Sequence, residues 1–129
     1  MNARQIATGL AIGRVAVGTA MFAAPGAFGK GWIGSDAGRP GTQLIMRVAG
    51  IRDLVLGLGL LTSLSSGQDA RRWIEAGIVA DAGDATAAVL GRGEASRFAV
   101  ASTVLIAAGA AGAGAYARVN LDTDADAGT

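Results

Sequence analysis

Four stretches of this chain are almost continuously apolar, and short polar or Gly-rich segments separate them. The fourth is the clearest, because the run from Phe98 to Ala117 holds no charged residue and is bounded by Arg97 and Arg118. A helix of about 20 residues rises about 30 Å, which matches the hydrocarbon thickness of a bilayer. The first stretch, Ile6 to Phe28, has a similar length but carries Arg14 inside it, and Pro25 and Gly26 weaken its far end. The second, Thr42 to Leu64, holds Arg47, Arg52 and Asp53 in its first half and a strongly apolar run, LVLGLGLLTSL, in its second. The third, Ala70 to Leu90, is the most polar, with Glu75, Asp81 and Asp84. It still reads as a helix with an organised polar face. Asp81 and Asp84 are three residues apart and share a side with Gly77, Ala80 and Ala88, while Ile78, Val79 and Val89 supply apolar surface.

This pattern predicts an all-α protein, a membrane-embedded antiparallel four-helix bundle with helices over roughly 6–28, 42–65, 70–91 and 97–118. Its longest connection is the Gly-rich run from Gly29 to Gly41, and all the connections are short enough to make consecutive helices antiparallel neighbours. Residues 1–119 form a single domain in this reading, and 120–129 form a disordered acidic tail. A secretory signal peptide is the rival reading of the first stretch, with Arg14 inside the apolar region standing against it. Lys and Arg flank the two ends of the spans evenly, Arg4, Arg71, Arg72 and Arg118 against Lys30, Arg39, Arg92 and Arg97, so charge bias sets no orientation.

Composition sharpens the membrane reading and removes several chemistries. Half the residues are hydrophobic (51%) but only 5% are aromatic, and Gly alone contributes 21 residues, with Ala more abundant still. In a bilayer, helices gain little by hiding Leu from lipid and instead associate through close contact of small side chains. Gly9 and Gly13 make a GxxxG in the first span, Ala108/Gly112 and Gly109/Ala113 offer similar pairs in the fourth, and Gly57 and Gly59 lie in the second. A formal net charge of +1 provides no field to attract nucleic acid. The chain has no Cys and no His, which excludes disulfides, thiolate nucleophiles, Ser-His-Asp triads and the usual zinc sites. No metal or cofactor is expected.

The charges inside the spans carry the functional question. Arg14, Arg47, Arg52, Asp53, Glu75, Asp81 and Asp84 come from three spans and are nearly balanced, three cations against four anions. Each central charge costs about 2.5–3.5 kcal/mol to insert, so such residues are expected to face inward and to pair. Arg47 and Glu75 lie near span ends, where they can reach the interface. Arg52, Asp53, Asp81 and Asp84 lie deeper, and Arg14 is intermediate. Arg52 or Arg14 is therefore expected within salt-bridge distance of Asp81 or Asp84.

The run Gly50-Ile51-Arg52-Asp53-Leu54 followed by Gly57, together with Asp81-Ala82-Gly83-Asp84-Ala85, resembles a family of small membrane proteins catalogued as domain of unknown function 4267. Phe28-Gly29 in a Gly-rich first loop fits the same pattern. The resemblance covers roughly residues 6–117 and implies a four-helix membrane fold without an agreed function.

Three functions follow from these residues as expectations. The first is acid-base chemistry on a lipophilic small molecule, with Asp53, Asp81 and Asp84 as catalytic carboxylates and Arg14 and Arg52 binding the ligand. The second is a non-catalytic accessory or interaction subunit whose buried charges are structural. The third is a transport or proton-relay element, which at this length requires a homo-oligomer. The lipid bilayer is the partner common to all three.

Overall fold

The computed structural model describes the chain from Met1 to Asp126, with side chains as far as Leu121. Among these residues the fold is all-helical, without strands. Its elements are α1 (Ala3–Ala23), α2 (Pro25–Ile33), a 3₁₀ segment (Gly34–Gly38), α3 (Pro40–Ser66), α4 (Arg71–Leu90) and α5 (Arg97–Asp126).

The sequence expectation of four helices needs correction at the first span. Pro25 lacks the N–H that would continue α1 and opens a separate short helix at its N1 position, so the expected 6–28 span divides into α1 and α2. Part of the expected Gly29–Gly41 loop is helical too, because Pro40 starts α3 at its own N1 position while Gly34, at φ 64°, ends α2. Gly29 presses α2 against α3, where a Cβ would stand 2.9 Å from the sulfur of Met46. At the other end α5 runs as helix to Asp126, past the Asn120 boundary of the expected acidic tail; the rest of that expectation lies outside the described residues.

Local chemistry sets the remaining helix ends. Asn2 and Gln5 form a capping box at the start of α1. Gly67, at φ 69°, closes α3 in the left-handed conformation that L side chains resist. Asp69 accepts from the N–H of Arg71 at 3.0 Å, and Ser96 accepts from the N–H of Ala99 at 3.1 Å, which orients the first turns of α4 and α5.

Helices α1, α3 and α4 each line up inward-facing positions three or four residues apart. On α1 the line is Ala3, Ala7, Ala11, Arg14, Gly18 and Met21; on α3 it is Met46, Gly50, Asp53, Gly57, Leu60 and Leu64; on α4 it passes through Ile74, Gly77 and Asp81. This is the seam spacing of helices packed nearly along one another. The α1 and α3 seams meet in opposite directions and at very short range. A Cβ on Gly18 would lie 2.6 Å from the Gly50 carbonyl oxygen, one on Gly50 2.7 Å from that of Gly18, and one on Gly57 2.7 Å from that of Ala11. The glycines are what permit backbone to touch backbone there. By contrast Gly9, Gly13, Gly109 and Gly112 have open space where a side chain would be, so the GxxxG pair singled out in the first span does not serve this contact. Helices α4 and α5 also pair in opposite directions, with Gly114 against Ile78 and Arg118 against Glu75. Ala7, Ala11, Leu60, Leu64, Ala70, Ile74 and Ala117 form the apolar core, close to the α3–α4 turn.

Many large apolar side chains are on the outside. Leu44, Ile45, Val48, Ile51, Val55 and Leu58 line the outer face of α3, and Phe98, Leu105, Ile106 and Val119 that of α5, all exposed. Two helices, α1 and residues Arg97–Leu121 of α5, are long and apolar enough to cross a membrane, yet only 22% and 17% of their most apolar windows are buried within the protein. Four spans were expected; α3 and α4 fall short because of the charges they carry, among them Arg52 and Asp53 on α3 and Asp81 and Asp84 on α4.

Candidate functional site

The seam spacing that buries Ala and Gly along these helices also buries charge. Arg14, Asp53 and Asp81 each occupy a seam position close to the midpoint of its helix, and their side chains are only 13%, 12% and 9% exposed. Arg14 is the hub. Its Nη1 donates to Asp53 Oδ1 at 3.0 Å, and its Nη2 donates to Asp81 Oδ2 at 2.7 Å and to the Gly77 carbonyl at 3.1 Å. Residues from α1, α3 and α4 are thereby tied at one point.

Gly77 gives the guanidinium room. A Cβ there would stand 3.1 Å from Arg14 Nη2, so a larger residue would push the guanidinium a few tenths of an ångström away from the α4 backbone one turn before Asp81. In the sequence Gly77 shares the Asp81 face but carries no chemistry of its own. The usable signal was its spacing of one turn from an intrahelical carboxylate.

A second guanidinium extends the network towards the surface. Arg52 Nη1 and Nη2 donate to Asp84 Oδ1 and Oδ2 at 2.7 and 2.8 Å, a two-pronged pairing of the kind planar guanidinium favours. Nη2 also reaches Asp53 Oδ1 at 3.3 Å. The ion pairs thus run in alternating sign as Asp84, Arg52, Asp53, Arg14, Asp81, bridging α3, α1 and α4. Arg52 and Asp84 are 36% and 38% exposed, so this end of the network is open while the Arg14 end is closed. The Nε of Arg52 is buried and has no hydrogen-bond partner.

The sequence leads one to expect Arg52 or Arg14 within salt-bridge distance of Asp81 or Asp84; the structure pairs Arg14 with Asp81 and Arg52 with Asp84, and Asp53 joins them by bridging the two guanidiniums. Arg47 and Glu75 stay apart from it. Arg47 Nε donates to the Phe22 carbonyl at 3.3 Å near the α1–α2 break, and Glu75 pairs with Arg118 at 2.5 Å with both side chains nearly half exposed. Glu75→Gln should therefore cost less than about 1 kcal/mol in thermal or denaturant unfolding, as exposed pairs do.

The space around the network is small. A cavity of ≈ 10 Å³ lies beside Arg14 and Asp81, otherwise walled by apolar side chains and glycine, including Leu10, Trp73, Ile74 and Gly114. That is the lower limit for one water molecule. Trp73 closes the gap between α3 and α4 by lying on Gly59, whose Cβ would meet the indole at 2.5 Å. Among the described residues no group of carboxylates is arranged to hold a metal ion.

The arrangement can hold three helices in one register, and its Arg52–Asp84 end is accessible from outside the bundle. Compared with protein-family models, with curated proteins and with solved structures, the chain matches none.

Proposed function

We propose that this chain is a small multi-pass membrane protein, an antiparallel bundle of α1, α3, α4 and α5, whose mid-height Arg/Asp network locks the helices together as part of a non-catalytic accessory or interaction subunit. The observation that carries the lock is the pairing of every network carboxylate with a guanidinium. Asp53, Asp81 and Asp84 each accept from a guanidinium, and the adjoining cavity, at ≈ 10 Å³, admits no organic ligand. Three helices tied by charges at mid-height gain register and angle from contacts that slide less easily than apolar ones.

The membrane reading is supported by an inverted distribution of side chains. Charge and small residues are inside, and Leu, Ile, Val and Phe are outside on α1, α3 and α5. A soluble protein arranges these the other way round. The charges that lower the apolar character of α3 and α4 include those paired within the network, so they weigh less against insertion than a count of charged residues implies. The likeness of Gly50–Gly57 and Asp81–Ala85 to the domain of unknown function 4267 family agrees with this architecture.

Acid-base chemistry on a lipophilic molecule is the second reading, with Asp53, Asp81 and Asp84 as proton-transfer groups and Arg14 and Arg52 as ligand contacts. The observation in its favour is the open Arg52–Asp84 end, over a third exposed. The double variant Arg52→Leu/Asp84→Leu separates the two readings. An ion pair replaced whole by apolar residues is often tolerated, so a lock predicts a folded, membrane-retained protein that still complements a deletion strain. A folded double variant that fails to complement would favour the chemical reading. Release of the intact protein from membranes by alkaline carbonate would overturn the membrane assignment.

A further inference from the structure

The network is not electrically neutral. It contains three carboxylates and two guanidiniums, Asp84, Arg52, Asp53, Arg14 and Asp81, a formal charge of minus one. Among the described residues no other cation joins it. Arg47 is turned to the Phe22 carbonyl and Arg118 to Glu75. A net charge held among packed helices is costly, and the usual remedies are a bound cation or a bound proton. The cavity beside the network, ≈ 10 Å³ and apolar apart from Arg14 and Asp81, offers no coordination shell for a metal ion. A proton needs no such space.

We infer that the folded protein carries one bound proton within this network, and that Asp81 holds it. The three carboxylates differ in how well their charge is met. Asp53 Oδ1 faces both guanidiniums, at 3.0 and 3.3 Å, and Asp84 receives both terminal nitrogens of Arg52. Asp81 receives one bond, from an Arg14 nitrogen that is shared with the Gly77 carbonyl, and it is the least exposed of the three. The groups facing it add no further positive charge. From α1 there is Arg14; from α3, Asp53 with Arg52 beyond it; from α5, only Ala110 and Gly114 in the cavity wall; on α4 itself, Asp84 one turn on. Protonation leaves the observed geometry intact, because a neutral carboxyl still accepts the Arg14 N–H through its carbonyl oxygen. The network then balances, two carboxylates against two guanidiniums.

This rests on the network acting as a lock and adds the protonation state in which it locks. The test is infrared spectroscopy of the full-length protein in lipid vesicles at neutral pH, with ¹³C-labelled aspartate. A band from one protonated aspartic carboxyl per chain is expected, shifted by the label, lost in Asp81→Asn and retained in Asp53→Asn and Asp84→Asn. Asp81→Asn is close in shape to a neutral Asp81 and should melt with the unmodified protein, whereas Asp53→Asn should melt earlier. Absence of the band in the unmodified protein overturns the inference whether or not any variant folds, and its survival in Asp81→Asn overturns the assignment. Failure of the lock itself would show separately, as an Arg14→Leu variant with unchanged melting.

Discussion

Arg14→Leu is expected to destabilise the protein by about 3–5 kcal/mol, the cost of removing one partner from a buried ion pair. Arg14 contacts two carboxylates and a backbone carbonyl on two different helices. Without it, Asp81 loses its guanidinium partner and, among the described residues, Asp53 keeps the 3.3 Å contact from Arg52. Leu cannot satisfy the Gly77 carbonyl, and its branched carbons would face carboxylate oxygens. The comparison variant is Arg92→Leu, which removes one exposed side chain hydrogen-bonded to the Val89 carbonyl at its own helix end and should change little. Thermal unfolding of both variants in the same lipid or detergent checks this, and equal melting points would show that the network contributes nothing to stability.

The second large effect is expected at the α1–α3 seam. Gly50→Ala places a Cβ 2.7 Å from the Gly18 carbonyl oxygen and 2.9 Å from the Phe22 nitrogen, both backbone atoms that no rotamer change can move away. The two helices must separate along their length, which costs at least the 1–3 kcal/mol typical of overpacking, about as much as a moderate core defect. Separation also pulls Arg14 from Asp53, since Gly18 and Gly50 each lie about one turn from the network residue of their own helix. Gly13→Ala is the matched control. Nothing lies within 4 Å of its Cβ, so the helix gains roughly 0.5–1 kcal/mol from the loss of glycine's backbone freedom. Opposite signs for these two substitutions are the expected result; equal effects would mean that glycine content, and not close approach, governs the seam.

Those two glycines show where sequence reading reached its limit. Gly9 and Gly13 carry the recognisable spacing, but they point away from any neighbour, while Gly18, Gly50 and Gly57 bring backbones together. Spacing along one helix tells which residues share a side; it does not tell which side meets a partner. In a chain with 21 glycines many sides look equally suitable. The network was easier to read. A charge deep in an apolar helix has few affordable positions, so Arg14, Arg52, Asp81 and Asp84 are expected to pair from sequence alone, and the particular partners, including the bridge through Asp53, follow only from how the Arg14 side chain reaches from α1 to both α3 and α4.

Helical content, the start of α3 and the extent of α4 were determined locally, by apolar runs, by Pro40 and by the polar residues around the Gly67 turn. The break after Ala23 was equally local, yet the continuous apolar run through Pro25 masked it, because hydropathy does not register a missing N–H. The tertiary structure decided the register of α1 against α3, the selection of Gly77 as a carbonyl ligand for Arg14, and the difference between a closed Arg14 end and an open Arg52 end. Each of these depends on distances between atoms far apart in the chain, such as the 67 positions that separate Arg14 from Asp81. Apolar and charged patterns set what each helix must hide; only the packing of four helices at once determines what hides it.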